Sequence, residues 1–413
     1  MSLLFLTAGI MFFLGAGWAG DADWNIRLKR ALALQRNGRT SEAEAEYKLL
    51  TAAEGISNID KARSLNNYAA LLFETGRYRE SVPLFLKSKT IWESEGASAE
   101  PDLAATLNNL AEAYRVLGRY SEAEPLYLRS IQIRESLLGL DHPHAAATLN
   151  NLGTLYLNTG RMRDPAGLAQ AEALFDRALA IKVQLYGEDH PETATVLNNL
   201  AAIHQERGEF GKAEEMYRRA ITIREKRFGL ENQLLAPTYN NLATIYRSLG
   251  RLKESESYCN KAITIWENSL GLEHPNLAAG LNNLGELYLT TGRLAQADTL
   301  FRRSIEICEK AYGRNHPDLA TALDNRGALF LEQQKQSGAQ ELFRRALAIR
   351  ESYFGSSHEL VALSEVHLAQ AMRVAGRKTE AKRHYRRAAG ILARLPGTPN
   401  PRIAKIEEQI KSL

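Results

Sequence analysis

With two cysteines in 413 residues, Cys259 and Cys308, the chain lacks the thiols for a disulfide framework or a zinc site, so its fold must rest on packing. It also lacks an excess of either charge. Lys and Arg total 52 against 48 Asp and Glu, the net charge is +4, and the signs are interspersed, so the composition demands no polyanionic partner. After residue 20 no stretch is long and apolar enough to span a bilayer. No phosphate loop, nucleophile motif or carboxylate pair stands apart from the general pattern, so the sequence predicts no enzyme, no cofactor and no small-molecule substrate.

What is present is a beat. Leu107-Asn108-Asn109-Leu110 returns at Leu149, Leu197 and Leu281, softer at Leu65 and Tyr239 and degenerate at Leu323 and Glu365, on a period of 42 residues. A fixed period of this size means one tandem array rather than several globular domains. Within a unit, Ala146, Leu149, Leu152 and Tyr156 recur on one helical face, and Ala171, Phe175, Ala178 and Ile181 mark a second helix. Glycines such as Gly139, Gly187 and Gly229 close the second helices, and His-Pro pairs at 142, 190, 274 and 316 open the first helices of the next units. Short turns with a glycine, replaced once by Gln334, join the two helices.

Aligned in columns, the unit resembles the tetratricopeptide repeat: Leu110, Ala111, Tyr114, Ala123, Tyr127 and Ser130 fill its positions in one unit. Glu135 stands where that family has its terminal proline, and the second helix runs on to Gly139. That extension, with the Leu-Asn-Asn-Leu-Ala, Ile-Arg-Glu and His-Pro strings, is similar to the kinesin-light-chain type, over roughly residues 60 to 394. No motor-associated coiled coil precedes the repeats, so the motor-adaptor role is not implied. The resemblance implies an all-α, right-handed superhelical solenoid of about nine antiparallel helix pairs, with a non-enzymatic scaffold function. Its expected organisation is an N-terminal helix pair over 21–58, the array over 59–395, and a linker with a capping helix over 396–413.

Residues 1–20 differ in kind, being apolar from Leu3 to Ala19 apart from Thr7 and ending in small residues. They read as a signal peptide, which makes the protein secreted or periplasmic. The n-region has no Lys or Arg, and Arg27, Lys29 and Arg30 follow, so the alternative is an uncleaved anchor with the array in the cytoplasm. Only that alternative involves a membrane.

In the resembled family the first asparagine of each pair lines the inner wall, which makes Asn66, Asn108, Asn150, Asn198, Asn240 and Asn282 candidates for contact with a peptide backbone. The ladder then lapses at Asp324 and Val366, so the N-terminal and middle units are the expected contact region. The second asparagines are expected to fix the stacking of neighbouring helices. On the same wall Arg115, Gln205 and Arg247 belong to a variable column that would set specificity, the arginines clasping ligand carboxylates. The predicted function is a protein-protein interaction scaffold holding a partner's peptide segment in this groove. The alternative is an assembly component packing by its edges.

A basic column of one Lys or Arg per unit, Lys87, Arg129, Arg177, Arg219, Lys261, Arg303, Arg345 and Arg387, could track phosphates. Acidic residues one turn earlier, as in Asp298 before Arg302, and the absence of interleaved aromatics weigh against nucleic acid. Cys259 falls in a core column and Cys308 in a column with Arg134, Lys182, Arg224, Trp266 and Arg350, which predicts partial exposure for Cys308. The linker histidines, one per joint, read as turn residues rather than metal ligands. The extra residues around Met162 to Leu168 read as a loop in a tolerant turn.

Overall fold

The computed structural model describes residues 22–37, 39–96, 99–160, 165–394 and 401–413. The expected signal peptide lies outside them, as do residues 162–164 of the expected loop, whereas Pro165 to Leu168 are helical and not loop. Among the described residues there are nineteen α-helices and no strand, so the all-α expectation holds, as nine helix pairs and a final single helix. None of these helices is long and apolar enough to cross a membrane.

Two interleaved compact units contain the described chain. In the first, residues 22–155 with 174–196, lie α1 (Ala22–Arg36), α2 (Thr40–Ala52), α3 (Asn58–Glu74), α4 (Tyr78–Glu95), α5 (Glu100–Val116) and α6 (Tyr120–Leu138), with most of α7 (Pro143–Gly160). This unit also takes the second half of α8 (Pro165–Tyr186) and the start of α9 (Pro191–Glu206). Its N-terminal pair is built on apolar packing: Trp24, Leu28, Tyr47 and Leu50 share a core with Tyr68 and Leu72 of α3. The indole N–H of Trp24 donates to Ser64 Oγ at 3.1 Å, which satisfies the one polar group that this core would strand.

The second unit, residues 156–173 with 197–413, holds α10 (Phe210–Phe228), α11 (Leu235–Ser248), α12 (Leu252–Leu270), α13 (Pro275–Thr290), α14 (Leu294–Tyr312) and α15 (Pro317–Glu332). It continues through α16 (Gln336–Phe354), α17 (Glu359–Val374), α18 (Lys378–Leu392) and α19 (Pro401–Lys411). The odd-numbered first helices α11, α13, α15 and α17 touch one another in series, each packed against its own second helix. Beyond the last pair, α19 lays Ile406 into the core made by Val361, Leu368, Tyr385 and Leu392.

Local chemistry explains where helices start and stop. The histidines before the first helices act as caps: Nδ1 of His274 accepts from the Asn276 N–H and that of His316 from the Asp318 N–H, each at 3.2 Å. Pro275 and Pro317 follow at positions where the missing N–H costs nothing. His358 caps α17 in the same way without a proline, accepting from the Leu360 N–H at 3.1 Å.

Gln334 is the one non-glycine residue with positive φ among the described residues, at 60°, in a turn where the other units have glycine. An L side chain pays about 1–2 kcal/mol for that conformation, and glycine gives back part of the gain as unfolded-state entropy. We expect Gln334→Gly to raise the stability of the second unit by about 1 kcal/mol, read from the shift of the denaturant midpoint at unchanged slope. An unchanged or lowered midpoint would refute the strain.

Candidate functional site

The wall that carries the candidate residues is the face of the first helices opposite their flanking leucines. In the first unit it is closed. Asn66, Asn67, Asn108 and Asn109 are fully buried, and Asn150 and Asn151 nearly so. A buried amide must find partners for both its donor and its acceptor, and here the amides find each other. Asn151 Nδ2 donates to Asn108 Oδ1 at 3.1 Å, Asn108 to Asn109 at 3.4 Å, Asn109 to Asn66 at 3.2 Å, and Asn66 to Asn67 at 3.5 Å. The sequence reading gave stacking to the second asparagine alone. Both members carry it, because each second asparagine is one residue beyond a repeat length from the preceding first one and reaches back to its oxygen.

Arg115 differs from expectation for a related reason. Its guanidinium makes a two-pronged pair with Glu112 of the same helix, at 2.8 and 2.5 Å, and the Tyr127 hydroxyl donates to the same carboxylate at 2.5 Å. The site is buried, and although burial works against the charged guanidinium, Glu112 outweighs it and the Arg115 pKa is raised. Its charge is already neutralised from within, so it offers no clasp to a ligand carboxylate.

The second unit keeps the ladder but opens the wall. Asn283 Nδ2 donates to Asn240 Oδ1 at 2.9 Å, and Thr238 Oγ1 donates to Asn198 Oδ1 at 2.9 Å. Gln205 receives the Tyr217 hydroxyl at 3.3 Å and donates to Thr244 Oγ1 at 3.1 Å. Around Glu286 three repeats meet: Arg247 pairs with it at 2.7 Å from the repeat before, Asn282 donates to it at 3.3 Å, and Asn325 donates at 2.5 Å from the repeat after. The Arg247 and Glu286 side chains are 31% and 23% exposed, and Asn283, Leu289 and Asn325 are also partly accessible. The accessible wall therefore lies in the second unit, where Glu286 belongs to a variable column of the wall legible in the sequence, and Asn283 and Asn325 were not singled out as contact residues. The signal for Asn325 was the spacing of 39 residues from Arg247 to Glu286 and again from Glu286 to Asn325, one turn short of a repeat.

The column that holds Cys308 also departs from the sequence expectation. Trp92, Arg134, Lys182, Arg224, Trp266, Cys308 and Arg350, one per second helix, are all buried, because this face meets the next first helix. Arg224 donates to the Leu234 carbonyl at 2.9 Å and to Thr238 Oγ1 at 2.7 Å, so the cation fastens one repeat to the next. Arg134 makes the equivalent bonds to the His144 carbonyl and Thr148, and burial pulls its pKa down to about 9. Cys308 is accordingly buried, not partly exposed as its polar column-mates suggested. Burial raises its thiol pKa and pushes that of Cys259 up to about 12, so both stay protonated; both are free.

Five members of the basic column are paired with a carboxylate of the preceding repeat. Arg129 meets Glu93 at 2.6 Å, Arg177 meets Glu135 at 2.7 Å and Arg303 meets Glu267 at 2.7 Å, while Arg345 and Arg387 reach Glu309 and Glu351. The same-helix pair Asp298 to Arg302 is present at 3.2 Å. Among the described residues no group of three His, Cys, Asp or Glu side chains is arranged to hold a metal ion.

The family model of the tetratricopeptide repeat matches residues 60–115, 102–164, 167–226, 234–310 and 281–352. No curated protein matches the chain in sequence. Among solved structures, a Rap protein complexed with competence and sporulation factor is similar with a TM-score of 0.62 and 15% identity, covering 95% of this chain and 99% of that one. The apo form of the quorum sensor NprR from B. thuringiensis follows with a TM-score of 0.55 and 15% identity, over 89% of this chain and 98% of that one. The repeats of a putative kinesin light chain from Podosopora anserina are 22% identical over 51% of this chain and 97% of that one, with a TM-score of 0.39. At these identities the likeness concerns the fold.

Proposed function

Because the chain belongs to the tetratricopeptide repeat family, we propose that it is a non-enzymatic protein-interaction scaffold holding a peptide segment of a partner along the first-helix wall of its second unit. The observation that supports this reading is the partly exposed cluster of Arg247, Glu286 and Asn325. It presents the partly exposed Arg247–Glu286 pair, with the Asn325 amide bonded to the same carboxylate, beside the apolar surface of Leu289. A peptide backbone carries one donor and one acceptor per residue and can engage such a row whatever its side chains are. Each bond is worth about 1 kcal/mol net, so useful affinity needs several in register, which repeats supply. Asn198, Asn240 and Asn282 then serve as the frame that sets the register of this wall, as Asn66, Asn108 and Asn150 do within the first unit, and Arg247 and Gln205 are its reading residues.

The test is selection of short peptides from a random display library on the full chain, followed by affinity measurement with Arg247→Ala and Asn325→Ala. Arg247→Ala should weaken the selected peptides about tenfold, the value of a charged hydrogen bond, while the half-exposed pair it breaks costs little stability. Peptides that bind the variants as tightly as the parent would sink the groove reading. A second reading, a structural component of a larger complex, draws support from Leu230 and Leu272, which stand 69% and 62% exposed at the ends of second helices. Light scattering that shows the purified chain to be a defined oligomer would favour it.

A further inference from the structure

Tyrosines in one column of the second helices each need an acceptor, since the column is buried. Tyr47 donates to Gln35 at 2.9 Å, Tyr127 to Glu112 at 2.5 Å and Tyr217 to Gln205 at 3.3 Å. Tyr385 is the next member of the column, 1% exposed, and its hydroxyl has no hydrogen-bond partner. The reason lies in the first helix of its pair. Gln35 and Gln205 stand twelve residues before their tyrosines, and at that distance from Tyr385 the chain has Arg373, a donor. Glu112 stands fifteen before Tyr127, and at that distance from Tyr385 the chain has Gln370.

The two constellations share an arginine and a tyrosine at the same spacing, but the carboxylate is missing from the second, and Gln370 and Arg373 are exposed there whereas Glu112 and Arg115 are buried. Near the N-terminus, Arg115 and the Tyr127 hydroxyl converge on Glu112. At the last pair, the arginine and tyrosine are kept and the glutamate is replaced by the neutral Gln370. The space there is not filled by packing: a cavity of about 520 Å³ lies between α17, α18 and α19, with Tyr385, Gln370 and Arg373 on its lining. Leu363, Val366, Leu392 and Ile406 supply an apolar floor, and Lys405 stands on the α19 side. Arg402 is neutralised by Glu359, whereas among the described residues Arg373 and Lys405 enter no ion pair. Arg373 and Tyr385 line the same cavity; burial raises the Tyr385 pKa and the charge of Arg373 pulls it back.

We propose that this cavity binds a small apolar carboxylic acid, whose carboxylate takes the place that Glu112 fills in the other constellation, accepting from Tyr385 and pairing with Arg373, while its hydrocarbon lies on the apolar floor. Size agrees, since pockets of a few hundred Å³ lined by apolar residues with a few converging polar groups are those that enclose small ligands. The site is separate from the wall proposed for peptide binding and stands or falls without it.

Titration calorimetry on the full chain with octanoate, and with octanol as the uncharged control, tests it. Octanoate should bind one to one and at least tenfold more tightly than octanol. Gln370→Glu, which supplies the carboxylate from within, should weaken octanoate at least tenfold while leaving the melting temperature unchanged or higher, and Tyr385→Phe should weaken it several-fold. Octanol binding as tightly as octanoate, octanoate binding undiminished in folded Gln370→Glu, or no saturable octanoate binding would each overturn the proposal.

Discussion

Arg350→Ala is expected to destabilise the second unit by about 3–5 kcal/mol, the cost of leaving a buried charge without its partner. Arg350 is 2% exposed and pairs with Asp324, itself 4% exposed, and donates to Ser364 Oγ at 2.5 Å; His367 Nδ1 lies 3.2 Å from the same Asp324 carboxylate. Removal of the guanidinium leaves Asp324 in a low-dielectric joint between α15, α16 and α17. Arg350→Met with Asp324→Leu should return most of the loss, because a well-packed apolar pair can equal a buried ion pair.

The pH dependence has a definite sign. Burial alone would raise the Asp324 pKa, but Arg350 and His367 outweigh it and hold it below its usual 3.8. A carboxylate held down in the folded state contributes stability that is present above its unfolded pKa and lost as pH falls through the folded value. In Arg350→Ala only His367 still opposes burial, so the carboxyl shifts upward and acid relieves the variant. The gap between parent and variant should therefore be widest near neutrality and narrow below about pH 4. Denaturant unfolding across that range measures it, with hydrogen exchange on α15 to α17 to localise the loss, since repeat arrays open by parts. A gap independent of pH would show that packing, and not the ion pair, is what Arg350 supplies.

Phe301→Ala should cost a similar amount, about 3–5 kcal/mol, by emptying the contact between α13 and α14. The ring is fully buried against Ala297 and Leu329 and lies directly on Gly285, where an added Cβ would come within 2.5 Å of its edge. Gly285→Ala alone should destabilise as well, because the clash with a packed ring exceeds the gain in helix propensity of about 1 kcal/mol. Combined, the two changes should couple: Gly285→Ala should become stabilising once Phe301 is gone, since the methyl then fills part of the cavity. A double-mutant cycle measures the coupling, and additive effects would refute the ring-on-glycine account. Gly153 with Phe175 and Gly327 with Phe343 repeat the geometry, whereas Ala111 and Ala201 accompany tyrosines in the same columns.

Much of the fold was legible because repetition averages out local ambiguity. A single Leu-Asn-Asn-Leu proves little, but its recurrence every 42 residues, bracketed by His-Pro starts and glycine stops, leaves few other architectures. The candidate site was less legible. Column analysis showed that Asn108 and Asn109 leave the leucine face, but not which way the amides turn, because the amide that closes the ladder, Asn66 for Asn109, stands 43 residues away on the neighbouring repeat. The sequence order pointed to the N-terminal and middle units, and of these the middle ones carry the accessible wall groups Arg247 and Glu286, joined by Asn325 of the next unit.

By itself, then, the sequence determined the helix pairs, their limits, the apolar core columns and membership in a repeat architecture, because these follow from periodicity within one unit or its copies. Only the tertiary structure decided which polar columns are used up between units. Arg134, Arg224, Arg350 and Cys308 look like surface positions when one helix is considered alone. They are buried because the neighbouring repeat covers that face, and a partner brought from another repeat is not encoded by anything within the helix that carries the side chain.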